Sequence, residues 1–298
     1  MNDTIRNHYL QFSTFTNAGA YREYLQTLPD DLAELGRLVC RQVIHRVTLR
    51  NGNTGANSDQ KYGDMERYPW FRLRCEDDVL MTAVALIAEL FRLDPRGLVS
   101  DRPVENKLVV TCRYVAVLMA AILKSKGIPA RCRSGFAPYC LPGISADHWI
   151  NQYWNETEQR WVTLDADGFF DHLEFNQFDI PESQFDWAAQ TWLSIREGKT
   201  DGRHFVYAGG IVGLEAAIRA IFYDFHSLMN NEISYKFQPS YVANKFANLS
   251  EADLREIDEL ARLMLDPDNH FDRLRELWET RRKFRILNSP LIGDNDHL

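Results

Sequence analysis

The apolar positions between residues 112 and 126 repeat at the spacing of a buried helix. The spacing is i, i+3, i+4 and i+7, and the residues at these positions are Val115, Leu118, Met119 and Ile122. Such a repeat places the side chains on one helical face. Thr111 precedes the segment as a possible N-cap, and Gly127 and Pro129 follow it as residues that end helices. The sequence therefore predicts a helix that begins at Cys112.

The chain after this helix changes to the alternation that is typical of strands. Residues 130–136 alternate in polarity, with Arg131 and Arg133 on the same side of the predicted strand. A turn is expected at Pro142-Gly143, and residues 148–154 and 160–165 are rich in aromatic and β-branched side chains. These two segments predict a β-hairpin with a polar connection.

The register of this hairpin decides which side chains meet. A turn centred on Glu156-Thr157 places His148 directly opposite Asp165, and opposed Cβ atoms lie about 4.5–5.5 Å apart. Asp167 would be a diagonal neighbour, and Asp147 should point to the other face. We therefore expect Asp165 to hold the imidazole of His148.

The remaining segments are mostly helical. Helical patterns are predicted over residues 15–46, from Glu76 to Leu93, from Leu214 to Met229 and, after a capping box at Ser250, to Leu265. A polar loop at 51–63 is either a lid or a mobile insertion, and the tail at 288–298 is expected to be loose.

The predicted architecture is α+β, with three parts. These are an N-terminal helical segment with a polar loop (1–74), a catalytic core (75–175) and a helical C-terminal region (176–298) packed on the core as one domain.

Composition excludes several classes of protein. The chain of 298 residues is 45% hydrophobic and has a net charge of −8, so it can build a core and lacks the basic footprint of a nucleic-acid-binding protein. The N-terminus has no apolar signal region, and no run is long enough to span a membrane. No nucleic-acid or membrane partner is expected.

Cysteine usage indicates a reduced compartment. The chain has five cysteines, an odd number scattered without a C-x-x-C pair, which favours a cytoplasmic protein over a disulfide framework. Cys112, Cys132, Cys140 and His148 fall in one region, but their spacing does not favour a structural zinc site. We expect no metal and no cofactor.

Cysteine, histidine and aspartate, in that order, supply a thiol nucleophile with its base and orienting group. A helix N-terminus lowers the pKa of a thiol such as that of Cys112. His148 could pair with the thiolate, Asp165 could fix the imidazole tautomer, and the backbone N–H of Cys112 could stabilise an oxyanion. Each residue alone is more often structural: a buried thiol, a satisfied histidine or a turn aspartate.

The same residues resemble the transglutaminase-like core, shared more distantly by papain-like thiol enzymes. The resemblance covers residues 75–170, and its motifs are Cys112 at a helix start, Gly127-Ile128-Pro129-Ala130-Arg131, Gly135-Phe136, His148-Trp149, and Trp161 four residues before Asp165. It implies a Cys112–His148–Asp165 triad and a nucleophile helix packed on an antiparallel sheet.

The layout is similar to that of small bacterial transglutaminase-like proteins, although the family often has a residue between the histidine and the tryptophan and a proline where Ala166 stands. No D-x-D-x-D-G calcium loop is present, so calcium activation is not supported.

The main hypothesis is a cytoplasmic thiol hydrolase or acyltransferase that forms a thioester and acts on a peptide, protein or small amide. Arg131, Arg133 and Trp149 are candidate substrate contacts. One alternative is a non-catalytic transglutaminase-like module that binds peptide or protein partners. A third is a zinc-binding protein, which metal analysis would reveal. The sequence does not determine the oligomeric state.

Overall fold

The computed structural model describes residues 1–45, 76, 79–168, 173–243, 246–285 and 287. The polar loop at 51–63 and the tail at 288–298, for which the sequence made predictions, lie outside the described residues.

Ten α-helices lie in the described part of the chain. In chain order they are α1 Asp3–Leu10, α2 Arg22–Gln26, α3 Leu32–Cys40, α4 Ala83–Leu93, α5 Cys112–Ser125, α6 Ala188–Arg196, α7 Leu214–Leu228, α8 Ser240–Ala243, α9 Glu251–Met264 and α10 Phe271–Thr280. None of these described helices has the length and apolar character that crossing a bilayer would require.

The strands form two sheets. Their bounds are β1 Val43–His45, β2 Leu108–Val110, β3 Ala130–Leu141, β4 Ile144–Asn155, β5 Arg160–Leu164, β6 Asp186–Trp187, β7 Phe205–Tyr207 and β8 Ile211–Val212. Strands β1 and β2 pair in parallel as a small sheet. The larger sheet has the order β6-β3-β4-β7-β8, with β5 also paired to β4.

The α+β fold expected from the sequence is confirmed. Strands β3, β4, β5 and β6 pair in antiparallel fashion, and β7 adds a short parallel pairing to β4, so the sheet is mixed. Helix α5 packs on this sheet, where the Asn151 side chain of β4 donates a 2.9 Å hydrogen bond to the Ala116 carbonyl.

Helix α5 is central because it is buried on every side. All fourteen of its residues are buried, beyond the single apolar stripe that the sequence predicted. The helix ends where Gly127 takes a φ of +75°, a conformation that costs glycine little. Thr111 occupies the N-cap position, but its side chain makes no capping hydrogen bond.

One continuous apolar core joins the described parts of the chain. It extends from Ile5 in α1 to Phe284 beyond α10 and includes most of α5 and α7. The C-terminal helices thus pack on the same core as α5. The three-part division at 74/75 and 175/176 stays a prediction.

Two helix predictions were wrong in their bounds. Val43 and Ile44, predicted as helical, lie in β1 because they pair with β2. Helix α4 begins at Ala83, because the Thr82 side chain caps it by accepting from Ala85 N, and Val79 is 70% exposed rather than on a buried face. The capping box at Ser250 is present as predicted.

The predicted hairpin register was wrong by two residues. Asn155 pairs with Arg160 and Asn151 with Leu164, so the turn lies one residue later than expected. Gln159, at a φ of +53°, completes the connection. His148 is therefore not directly opposite Asp165, which follows the last residue of β5.

Candidate active site

Cys112 is the first residue of α5 and is only 4% exposed. The parallel pairing of β1 with β2 brings His45 alongside Val110, two residues before Cys112. Cys112 stands at a helix N-terminus, where backbone N–H groups have no partner within the helix and the helix dipole is positive. The helix N-terminus favours a thiolate, whereas burial raises the pKa of the Cys112 thiol.

His148 and Asp165 meet as the sequence expected, although the register differs. The His148 Nε2 donates to Asp165 Oδ2 at 2.7 Å. A shift of two residues keeps a side chain on the same face of a strand, which explains why the contact survives the wrong register.

Asp165 is fully buried, and it accepts two further hydrogen bonds. Tyr139 donates its hydroxyl to Oδ2 at 3.0 Å, and the backbone N–H of Asp167 donates to Oδ1 at 2.9 Å. These donors fix the carboxylate, so Asp165 can orient the imidazole of His148.

The His148 imidazole is favoured as a cation. Burial lowers its pKa, but the negative charges of Cys140, Asp165 and Cys112 outweigh burial and raise the pKa well above its usual value. Burial raises the pKa of the Cys112 thiol above its usual value, and the positive charge of His148 opposes this only in part. Since Nε2 is taken by Asp165, the nitrogen left for the thiol is Nδ1. This arrangement suits a thiolate–imidazolium pair.

A second histidine–aspartate pair lies beside Cys112. The His45 Nε2 is 3.4 Å from Asp167 Oδ2, and the ligand atoms of His45, Asp167 and Cys112 all lie within 4.8 Å of one another. Burial, together with the nearby positive charge of His148, lowers the pKa of His45 to about 4. The His45 imidazole is therefore neutral at neutral pH.

Tyr235 completes the surroundings of the sulfur. Its hydroxyl is 2.8 Å from Cys112 Sγ. The next residue of α5, Arg113, is fully buried and donates from Nε to the carbonyls of Glu232 and Ile233 at 3.0 and 2.9 Å. Tyr223 donates its hydroxyl to the Tyr235 carbonyl at 2.9 Å. The segment after α7 is thus anchored where Tyr235 reaches the thiol.

The three candidate substrate contacts are buried, and the two arginines among them form ion pairs within the protein. Arg131 forms a 2.6 Å ion pair with Asp268, and Arg133 pairs with Asp224 at 2.8 Å. Trp149 is 1% exposed. Their role toward a substrate stays a prediction.

The two arginines line a cavity of about 580 Å³ whose walls also include Trp161 and Trp187 and do not include Cys112 or His148.

Four residues at the site were missed by sequence reasoning or given no role there: His45, Tyr139, Asp167 and Tyr235. Asp167 had only been placed as a diagonal neighbour, and nothing in the local pattern distinguished the others. The set considered for zinc, Cys112, Cys132, Cys140 and His148, does not come together as a ligand group in the part of the chain that the structure describes.

Comparison with known proteins agrees with the resemblance expected from the motifs. Residues 102–166 match the model of the Transglutaminase-like superfamily. This segment is similar to the transglutaminase-like core. It carries α5, both arms of the hairpin and the Cys112, His148 and Asp165 positions, and the match supports a cysteine enzyme in general terms.

The other comparisons add little. No curated protein gave a significant match. A solved structure, "a Putative Cysteine Protease from Cytophaga hutchinsonii", is 14% identical and aligns with a TM-score of 0.36 over 63% of this chain and 46% of that chain. The chain thus spans less than half of that structure, and the likeness is too weak to decide fold or activity.

Proposed function

We propose that the protein is a thiol enzyme that acts on an amide or related acyl bond. Cys112 is the nucleophile, His148 is the general base and acid, and Asp165 orients His148. The observation that carries this proposal is the 2.7 Å bond from His148 Nε2 to the buried Asp165 carboxylate, on an imidazole whose positive charge opposes the effect of burial on the pKa of the Cys112 thiol.

The first half-reaction forms a thioester. The Cys112 thiolate attacks the acyl carbon, and the backbone N–H of Cys112 stabilises the oxyanion. When the intermediate collapses, the bond to the leaving amine breaks and His148 gives the amine its proton. Asp165 keeps the imidazole in the tautomer that this transfer needs.

The second half-reaction releases the acyl group. Water or a second amine gives a proton to His148 as it attacks the thioester, and the carbon–sulfur bond breaks to restore the thiolate. Water gives hydrolysis and an amine gives transamidation, with the same three residues in the same roles. The substrate is a peptide, a protein or a small amide.

Two further parts of the proposal rest on residue types rather than on geometry. Arg131, Arg133 and Trp149 remain candidates for contacts to the acyl substrate. No disulfide joins the described cysteines Cys40, Cys112, Cys132 and Cys140, which supports a cytoplasmic location.

The proposal is tested by the reactivity of the individual cysteines. We expect iodoacetamide at neutral pH to label Cys112 faster than Cys40 or Cys132, because the positive charge of His148 lowers the pKa of the Cys112 thiol. We expect p-nitrophenyl acetate, followed by acid quench, to add one acetyl group to the intact protein. Peptide mapping by mass spectrometry locates both modifications.

Cys112→Ala should abolish the acetyl adduct, and Cys132→Ser, at another buried thiol, should leave it unchanged. If Cys112 labels no faster than Cys40 and no acyl adduct forms on it, the enzyme proposal is wrong and the non-catalytic module becomes the better description.

A further inference from the structure

Three side chains of different donor type converge beside the start of α5. They are the Sγ of Cys112, the imidazole of His45 and the carboxylate of Asp167, and their ligand atoms lie within 4.8 Å of one another. They come from three distant segments: the start of α5, the end of β1, and the turn after β5. This convergence depends on the fold, since no short sequence spacing relates the three residues.

We propose that Cys112, His45 and Asp167 bind a thiophilic divalent metal ion, with zinc as the best fit. Thiolate and imidazole are ligands of zinc, cobalt and the other late first-row ions, whereas magnesium and calcium require oxygen ligands. Three protein ligands, with a fourth position left for water or substrate, match the open coordination of zinc sites in enzymes.

The separations are close to those that zinc needs. Bond lengths of about 2.0–2.3 Å in a tetrahedron place ligand atoms about 3.3–3.8 Å apart. The His45 Nε2 and Asp167 Oδ2 are already 3.4 Å apart. The widest gap in the group is within 4.8 Å, so it must close by about 1 Å.

The charges around the group favour a dication. Two carboxylates, those of Asp167 and Asp165, lie beside the Cys112 sulfur, and the His148 imidazole bonds Asp165. All four side chains are at most 4% exposed. A divalent ion neutralises this buried charge, and buried charges are tolerated when they are paired or coordinate metals.

Hydrogen bonds with neighbouring groups hold the backbone around Asp167 in position. Asp167 donates its backbone N–H to Asp165 at 2.9 Å, which ties the ligand carboxylate to the orienting carboxylate. The Cys40 thiol bonds the carbonyls of Ala166 and Gly168 on either side of Asp167, at 3.1 and 3.3 Å. These bonds hold the turn that carries Asp167, as outer-shell partners do at metal sites.

Metal binding would reversibly inhibit the nucleophile, Cys112. The thiol of Cys112 loses its proton to solvent as the sulfur–metal bond forms, and the sulfur lone pair is then unavailable for acyl attack. Binding itself does not depend on the proposed function. The loss of activity does, since it requires Cys112 to be the nucleophile.

The test uses the full chain after treatment with a chelator. Titration with Co²⁺ should give a near-ultraviolet thiolate-to-cobalt charge-transfer band and visible bands of tetrahedral intensity, at one ion per chain. Zn²⁺ should remove these bands by displacement. One equivalent of Zn²⁺ should slow iodoacetamide labelling of Cys112 by at least about tenfold, because a metal-bound thiolate is a poor nucleophile.

Variants separate this site from other metal-binding groups. Cys112→Ser should abolish the charge-transfer band, and His45→Gln and Asp167→Asn should each weaken binding by at least about tenfold. His204→Ala, at an exposed histidine, and Cys140→Ser should leave affinity unchanged. Circular dichroism establishes that each variant is folded, and Asp167→Glu provides a conservative version of the carboxylate ligand.

The outcomes distinguish the site from the proposed catalysis. Cobalt binding without a sulfur band, or binding that persists in both His45→Gln and Asp167→Asn, would overturn the site. If cobalt binds as expected, but Cys112 in the protein without metal is no more reactive than Cys40, the metal site is supported and the proposed enzyme activity is wrong. Fast labelling of Cys112 in a protein that does not bind cobalt would support the proposed enzyme activity and overturn the metal site.

Discussion

Two histidine–aspartate pairs reach Cys112, and they differ in construction and in charge. His148 bonds Asp165 at 2.7 Å, on a hairpin inside the main sheet. His45 lies 3.4 Å from Asp167, at the end of a three-residue strand of the small sheet. The pKa of His148 is raised well above its usual value, whereas the pKa of His45 is lowered to about 4.

The difference shows what a buried imidazole needs in order to carry charge. Burial lowers the pKa of both histidines, and what separates them is the charge nearby. Asp165, fixed by three donors, stabilises the His148 cation, and that cation in turn lowers the pKa of His45. One pair is therefore suited to a thiolate–imidazolium couple, and the other is a neutral ligand or hydrogen-bonding group.

The largest expected contrast is in thiol reactivity. His148→Ala should slow iodoacetamide labelling of Cys112 at pH 7 by about 10²–10⁴-fold, the range for loss of a general base. His45→Ala should change it by less than about tenfold, because a neutral imidazole does not stabilise the thiolate by charge. Rates are measured by mass spectrometry with a chelator present.

His204→Ala, at an exposed histidine, is the control for general effects of histidine removal. An equal loss of Cys112 labelling rate in His45→Ala and His148→Ala would show that both histidines support the thiolate and that the two pairs do not differ in this role.

The next contrast is in the pH dependence of stability. For His45 the folded-state pKa of about 4 lies below the unfolded value of 6.5, so the unfolded chain binds the proton first as pH falls. Its contribution to stability is present above pH 6.5 and is lost through the window down to pH 4, by about 2 kcal/mol between pH 7 and 5. For His148, with a raised pKa, stability is present below 6.5 and is lost as pH rises toward the raised value.

Urea unfolding of His45→Gln and of the unsubstituted protein at pH 7 and 5 measures this effect. The variant should lose about 2 kcal/mol less on acidification. His8 and His226, whose pKa values are also lowered to about 4 by burial, titrate in both proteins and cancel in the difference. An unchanged acid sensitivity in His45→Gln would mean that His45 is already protonated in the folded protein.

The two pairs also differ in how far the sequence predicts them. His148 and Asp165 lie on one hairpin, where alternation fixes which face a side chain occupies. The predicted register was wrong by two residues, since four residues connect Asn155 to Arg160. A shift of an even number of residues leaves each side chain on its predicted face, so the contact between His148 and Asp165 is preserved. Helix α5 was predicted for a similar local reason, from its apolar repeat and its glycine end.

His45 could not be predicted in this way. It reaches Cys112 because β1 pairs with β2 in parallel. The three residues of β1 are too few to form a pattern that predicts this pairing. Val43 and Ile44 were interpreted as helical for the same reason. Tyr235 lies in a connection placed by Arg113, whose buried contacts with Glu232 and Ile233 have no periodic signature.

The smallest contrast concerns whether His148 stabilises the thiolate alone. The Tyr235 hydroxyl is 2.8 Å from the Cys112 sulfur, and a hydroxyl that donates to a thiolate lowers the pKa of that thiol. Tyr235→Phe should therefore move the labelling profile of Cys112 to higher pH and slow labelling at pH 7 by less than about tenfold. Tyr207→Phe, whose hydroxyl bonds Tyr223 instead, should leave the profile unchanged. Faster labelling in Tyr235→Phe would show that the hydroxyl covers the thiol rather than stabilising it, and the His148 pair would then be the sole support of the thiolate.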